Sequence, residues 1–211
     1  METHITFVLD SSGSMSAIED DTIGGFNSFL DDQRDEEGTA TVSLFDFNTD
    51  IDRVYQGQPI AEAQELTSES YTPGGRTALH DAISMAIDDT MNYITSFDPT
   101  ERPETVVVVV LTDGKENASE TPQEMVRARV EKCREDFEWE FLFIGANQNA
   151  ALTASEMGMD QDKSLDMAHN AEGTRAAYES TSERISEARR EGSTSGFDEA
   201  DRDRQNDADD T

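Results

Sequence analysis

Residues 106–111 read Val-Val-Val-Val-Val-Leu, apolar at every position. A strand with one wet face alternates apolar and polar residues. One that is apolar throughout is covered on both faces, as at the centre of a parallel sheet. A second run of this kind, Ile5-Thr6-Phe7-Val8-Leu9, lies near the start of the chain. Elsewhere the pattern switches to helical spacing. Leu79, Ile83, Ala86, Ile87, Met91 and Ile94 form one apolar stripe, and Val126, Val130, Cys133 and Phe137 form another. Strand and helix patterns alternate, which predicts an α/β fold with a mostly parallel sheet of about six strands.

The spacing places strands at 3–9, 40–47, 50–56, 106–111, 139–144 and 164–167. Asn48-Thr49 joins the second strand to the third tightly enough for an antiparallel hairpin. Helices are expected over 16–36, from Thr77, from Thr121-Pro122, over 150–157, and after Asn170, which can cap the last one. Gly24-Gly25 falls inside the first helix, where each glycine costs about 1 kcal/mol against alanine. Close packing or a break is expected there. Residues 57–73 form a long connection. From Gly192 apolar content almost vanishes, so residues 1–191 are read as one domain and 192–211 as an acidic disordered tail.

Both apolar runs end in oxygen-bearing side chains. The first stops at Asp10-Ser11-Ser12-Gly13-Ser14, the second at Thr112-Asp113-Gly114, and between them lies Gly74-Gly75-Arg76-Thr77. Ser12 and Ser14 stand two apart, so in an extended segment both point the same way. Carboxylate and hydroxyl oxygens without nitrogen or sulfur suit a hard cation such as Mg²⁺, which takes oxygen ligands at about 2.0–2.1 Å. Ligands of open α/β sheets bind at the carboxyl ends of strands, where strand order reverses. Asp10 and Asp113 both stand at such ends.

This pattern, Asp-x-Ser-x-Ser, then a Thr in a Gly-rich loop, then Asp-Gly after an apolar strand, resembles the metal-ion-dependent adhesion site (MIDAS) of von Willebrand factor type A domains. The resemblance covers residues 3 to 190 or so, most of the chain. It implies a Rossmann-like open sheet in the order 3-2-1-4-5-6 with helices on both faces. It implies a metal site made of Asp10, Ser12, Ser14, Thr77 and Asp113, holding Mg²⁺ or else Mn²⁺ or Ca²⁺. In such a site the aspartates often act through bound water, and a carboxylate from a partner protein takes the open position. The function implied is non-enzymatic protein binding. Some members resemble adaptors for ATPase machines, which leaves open an adaptor without metal dependence.

Glu116 and Asn117 read as loop polarity or helix capping, Asn147 as a turn residue, and Arg76 as a surface charge. Asp46 fits hairpin chemistry or a place behind the site. His4, His80 and His169 are scattered, with no Cys or His partner to make a zinc site. A haloacid-dehalogenase-like phosphatase also carries an Asp after its first strand, but it needs a second carboxylate two residues on, where this chain has Ser12. A dinucleotide site needs Gly-x-Gly-x-x-Gly, and Asp10 to Ser16 holds only Gly13.

Net charge is −31, from 47 acids against 16 bases, three of them lysine. No basic surface exists to neutralise phosphates, which argues against nucleic acid. Acids run from end to end, as in a shell adapted to high salt, where self-repulsion is screened. No run of apolar residues is long enough to span a membrane. The start, Met1-Glu2-Thr3-His4, lacks the basic region and apolar stretch of a signal peptide, so a cytoplasmic location is expected. Cys133 is the sole cysteine and falls on an apolar face.

Overall fold

The computed structural model describes residues 2–147 and 149–210. Six strands, β1 (Glu2–Asp10), β2 (Thr39–Phe47), β3 (Ile51–Pro59), β4 (Thr105–Thr112), β5 (Glu140–Ala146) and β6 (Ser164–Met167), form one sheet in the order β3-β2-β1-β4-β5-β6. β2 and β3 are antiparallel and every other pairing is parallel. The order and the single edge hairpin agree with the expectation. Order reverses between β1 and β4, which lie side by side with Leu9 opposite Leu111.

Among the described residues six α-helices cover the sheet: α1 (Glu19–Asp35), α2 (Leu79–Thr95), α3 (Gln123–Phe137), α4 (Ala150–Glu156), α5 (Ala171–Glu191) and α6 (Glu199–Asp209). The two central strands show why both faces are needed. Ile5, Phe7, Leu9, Val107, Val109 and Leu111 pack into one core with residues of α1 and α5. Val8, Val106, Val108 and Val110 pack into the other with residues of α2, α3 and α4. Cys133 is buried in this second core, and burial pushes its thiol up to about 11.

The first helix departs from the expected range. Residues Gly13–Ile18 form a 3-10 segment and the α-helix begins only at Glu19. The tighter winding closes with Met15 N donating to Ser12 O at 3.0 Å. Close packing, not a break, explains Gly25: α1 runs on unbroken, and a Cβ at this position would overlap the Tyr178 ring of α5. Gly24 has open space around it.

The expected disorder after Gly192 is corrected by α6. Asp198 and Asp201 form a reciprocal capping box at its start, which satisfies the free N–H groups of the first turn. Phe197 is buried in the first core and Ala208 is fully buried. Arg202 Nη1 donates to Ser164 O at 3.1 Å, and Phe197 N donates to Asp162 O at 2.9 Å. Composition missed this because one phenylalanine and a set of side-chain-to-backbone hydrogen bonds hold the segment in place of an apolar stripe.

Candidate metal centre

Asp10 ends β1 and is fully buried. Its Oδ1 accepts from Ser12 N at 2.6 Å and its Oδ2 from Thr112 Oγ1 at 2.5 Å. Tyr71, from the long connection after β3, donates its hydroxyl to Asp10 O at 2.5 Å. Burial pushes the Asp10 carboxyl up to about 6, against the lowering pull of the Thr112 and Ser12 hydrogen bonds and with a further push from the Asp113 charge.

Ser12 and Ser14 point the same way, with hydroxyl oxygens 3.3 Å apart. Ser14 Oγ donates to Asp113 Oδ1 at 2.6 Å across 99 residues of sequence. Asp113 follows β4 directly and is buried. Thr77 is buried just before α2. A Cβ built on Gly114 would lie 2.6 Å from Thr77 Oγ1 and 3.5 Å from Asp10 Oδ2. Glycine thus leaves open the space that the Thr77 hydroxyl and the Asp10 carboxylate share. The structure brings all five residues to one edge of the sheet, Ser12, Ser14 and Asp113 in a direct chain, Asp10 behind Ser12, and Thr77 across the Gly114 gap.

Backbone hydrogen bonds lock the loops together. Gly74 N donates to Ser11 O at 2.8 Å, and Gly13 N to Gly75 O at 3.3 Å. Gly75 has φ +74, in the left-handed region that suits glycine. Thr77 N donates to Asn117 Oδ1 at 3.0 Å, and Asn117 N returns a bond to Thr77 O at 3.0 Å. Glu116 accepts from Ser119 N at 2.7 Å, from Ala118 N at 2.8 Å and from His80 N at 3.0 Å. Burial raises this carboxyl, yet those donors outweigh it and hold Glu116 below the usual range. Asp81 takes Glu120 N at 2.9 Å and Thr121 N at 2.8 Å. The loop after β4 is thus sewn to the start of α2, and Glu116 and Asn117 serve as its stitches. Asn147 sits in a left-handed turn with φ 55. Asp46 faces Asp52 across the hairpin, and burial raises its carboxyl.

By sequence alone His169 is set aside as a scattered histidine, and Thr112 and Tyr71 receive no role. Thr112 precedes Asp113, and its hydroxyl both holds Asp10 and accepts from Gly114 N at 3.1 Å. His169 comes just after β6, and its Nε2 is 2.7 Å from Asp113 Oδ2. The signal for His169 was its place at the carboxyl end of a strand, the edge where Asp10 and Asp113 also stand. His4, by contrast, is fully buried between Thr41 and Ser43, and burial lowers it to about 4.

Fold and site together define an open-sheet α/β protein that gathers hydroxyl and carboxylate oxygens where its strand order reverses. The model of the von Willebrand factor type A domain matches residues 4–190, and the chain belongs to that family. No curated protein matches it significantly. Solved structures resemble it in fold. Proximal thread matrix protein 1 from the mussel byssus, solved with zinc in its MIDAS motif, superposes with TM-score 0.61 at 15% identity, over 88% of this chain and 46% of that one. The pilus adhesin SpaC from Lactobacillus rhamnosus GG gives 0.65 at 13%, over 89% and 30%. The von Willebrand factor domain of the type V pilus tip protein Mfa5 from Porphyromonas gingivalis gives 0.64 at 11%, over 92% and 98%. The chain therefore spans under half of the mussel protein and under a third of SpaC, but nearly all of the Mfa5 domain.

The residues fit a hard cation. Neighbouring oxygen ligands of an octahedral ion at about 2.1 Å stand roughly 3.0 Å apart, and the Ser12–Ser14 and Ser14–Asp113 contacts, at 3.3 and 2.6 Å, bracket that spacing. Asp113 Oδ2 is buried without a hydrogen-bond partner. Among the described residues no three His, Cys, Asp or Glu side chains are placed to hold a metal; a cation here would take further protein ligands from hydroxyls.

Proposed function

We propose that the chain is a non-enzymatic protein-binding module that works through a divalent cation held by Asp10, Ser12, Ser14, Thr77 and Asp113. The observation that carries this reading is the contact of Ser14 Oγ with Asp113 Oδ1, which joins loops 99 residues apart in a ring rich in neutral hydroxyls. A bound Mg²⁺, Mn²⁺ or Ca²⁺ supplies an electrophilic centre with one position open to an oxygen from outside. The mussel relative carries zinc in its own motif. The oxygen donors of the five residues proposed here favour a harder ion.

The partner is a protein that offers a carboxylate. Arg76 and Lys115 are exposed on two of the site loops and form no ion pair among the described residues. On a chain of net charge −31 these two cations favour an approaching acid at this edge. Nucleic acid is a poor fit to the same charge. Among the described residues no helix is long and apolar enough to cross a membrane. The composition suits a salt-rich cytoplasm. A phosphatase would need an acid where Ser12 stands, so we assign no hydrolysis to the site.

Calorimetry in molar KCl tests the site: Asp113→Ala should abolish Mg²⁺ and Mn²⁺ binding and leave the circular dichroism spectrum unchanged. Unaltered affinity in that variant would refute the assignment. Capture of a partner that survives chelation would point instead to an adaptor without metal dependence.

A further inference from the structure

Asp113 has two carboxylate oxygens, and they face different parts of the fold. Oδ1 meets the Ser14 hydroxyl. Oδ2 meets His169 Nε2 at 2.7 Å. Both Oδ2 and Nε2 are buried, and neither has a hydrogen-bond partner. The contact is close but off the line that a straight hydrogen bond requires. An N–H on Nε2 aimed at Oδ2 would make a charge-assisted hydrogen bond at this distance.

The segment that carries His169 is held from the side of α6. Ala168 N donates to Gln205 Oε1 at 2.9 Å, and Gln205 Nε2 donates to Gly173 O at 3.1 Å. Asn170 caps α5 through Gly173 N at 2.8 Å, and its Nδ2 donates to Ala208 O, also at 2.8 Å. The corner is tight, since a Cβ on Gly173 would overlap the Ala168 carbonyl. Gln205 and Ala208 belong to α6, which lies beyond the residues 4–190 that the family shares. A continuous set of contacts therefore runs from α6, through residues 168–170, to the carboxylate at the centre of the site.

We infer that His169 is a positioning residue for Asp113 and that α6 is the brace that keeps it in place, so that cation affinity and the stability of α6 are coupled. The inference rests on the reading of Asp113 as a metal ligand. A ligating carboxylate whose outer oxygen is hydrogen-bonded keeps its orientation, and losing such a partner typically weakens metal binding 10–100-fold. Coupling of this kind is reciprocal: whatever α6 adds to cation affinity, the cation returns to α6.

The test uses the full chain in molar KCl with Mn²⁺ as the probe. Calorimetry compares wild type, Asp113→Ala, His169→Ala, His169→Gln and Gln205→Ala. His169→Ala should weaken Mn²⁺ binding by roughly 10-fold or more. His169→Gln, whose amide nitrogen reaches to about where Nε2 stands, should restore most of it, and Gln205→Ala should weaken binding by a smaller factor. In wild type, Mn²⁺ should slow amide exchange across residues 199–209; in His169→Ala it should not. If His169→Ala fails to fold, the Gln205→Ala affinity and the wild-type exchange decide. Equal binding by wild type and Asp113→Ala overturns the metal-centre reading and the inference with it. Loss of binding in Asp113→Ala, with wild-type affinity in His169→Ala and Gln205→Ala, overturns the inference alone. Directly bonded nitrogen coupling in the Mn²⁺ electron paramagnetic resonance spectrum would also overturn it, because His169 would then be a ligand.

Discussion

Asp10 ties the proposed metal site to stability, and replacing it with asparagine exposes the link. In the metal-free protein burial pushes its carboxyl from 3.8 up to about 6. The unfolded chain releases that proton near pH 4 while the folded chain keeps it to about pH 6. Within that window the native state binds more protons than the unfolded state, so stability falls as pH rises. The loss is about 3 kcal/mol, from a shift of roughly two units at 1.36 kcal/mol each. Stability from this group is fully present below pH 4 and gone above pH 6. Groups that do not interact with Asp10 cancel between wild type and Asp10→Asn, so the difference reports this carboxyl together with its coupling to Asp113. Urea denaturation of both proteins, metal-free in molar KCl from pH 4 to 7, should show Asp10→Asn gaining about 3 kcal/mol on wild type across the range. A cation favours the ionised carboxylate, so Mg²⁺ affinity of wild type should fall about tenfold per pH unit below 6. A stability difference that stays flat over the range would refute the burial argument.

Gly114→Ala would place a Cβ 2.6 Å from Thr77 Oγ1; Mn²⁺ affinity should drop at least tenfold by calorimetry, with the denaturation midpoint nearly unchanged. Gly25→Ala drives a Cβ into the Tyr178 ring and should cost about 1–3 kcal/mol of stability in urea, with cation affinity preserved. At a net charge of −31, the melting temperature should rise steadily from dilute buffer to molar KCl as self-repulsion is screened. A melting temperature indifferent to salt would refute the reading of the acidic shell.

Much of this was legible because it follows from local pattern. An all-apolar stretch such as Val106–Leu111 has to be covered on both sides, and β4 sits between β1 and β5 with helices over each face. Helical stripes marked α2 and α3. Oxygen-bearing residues at strand ends marked Asp10, Ser12, Ser14 and Asp113, because strand ends are where an open sheet leaves room for a ligand. The tail was misread for the complementary reason. α6 is held by Phe197, a capping box and hydrogen bonds from Arg202 and Gln205 to distant backbone, and no count of apolar residues registers such bonds.

Periodicity and punctuation are properties of neighbours along the chain, so the order of residues alone was enough to specify the α/β class and to nominate the five oxygen-bearing side chains. Which groups surround those side chains is a property of neighbours in space. That Thr112 holds Asp10, that Glu116 and Asn117 fasten the Thr77 loop, and that His169 faces Asp113 from two strands away all depend on the sheet having assembled. The raised carboxyl of Asp10 has the same origin, since burial is created by packing and the motif does not carry it.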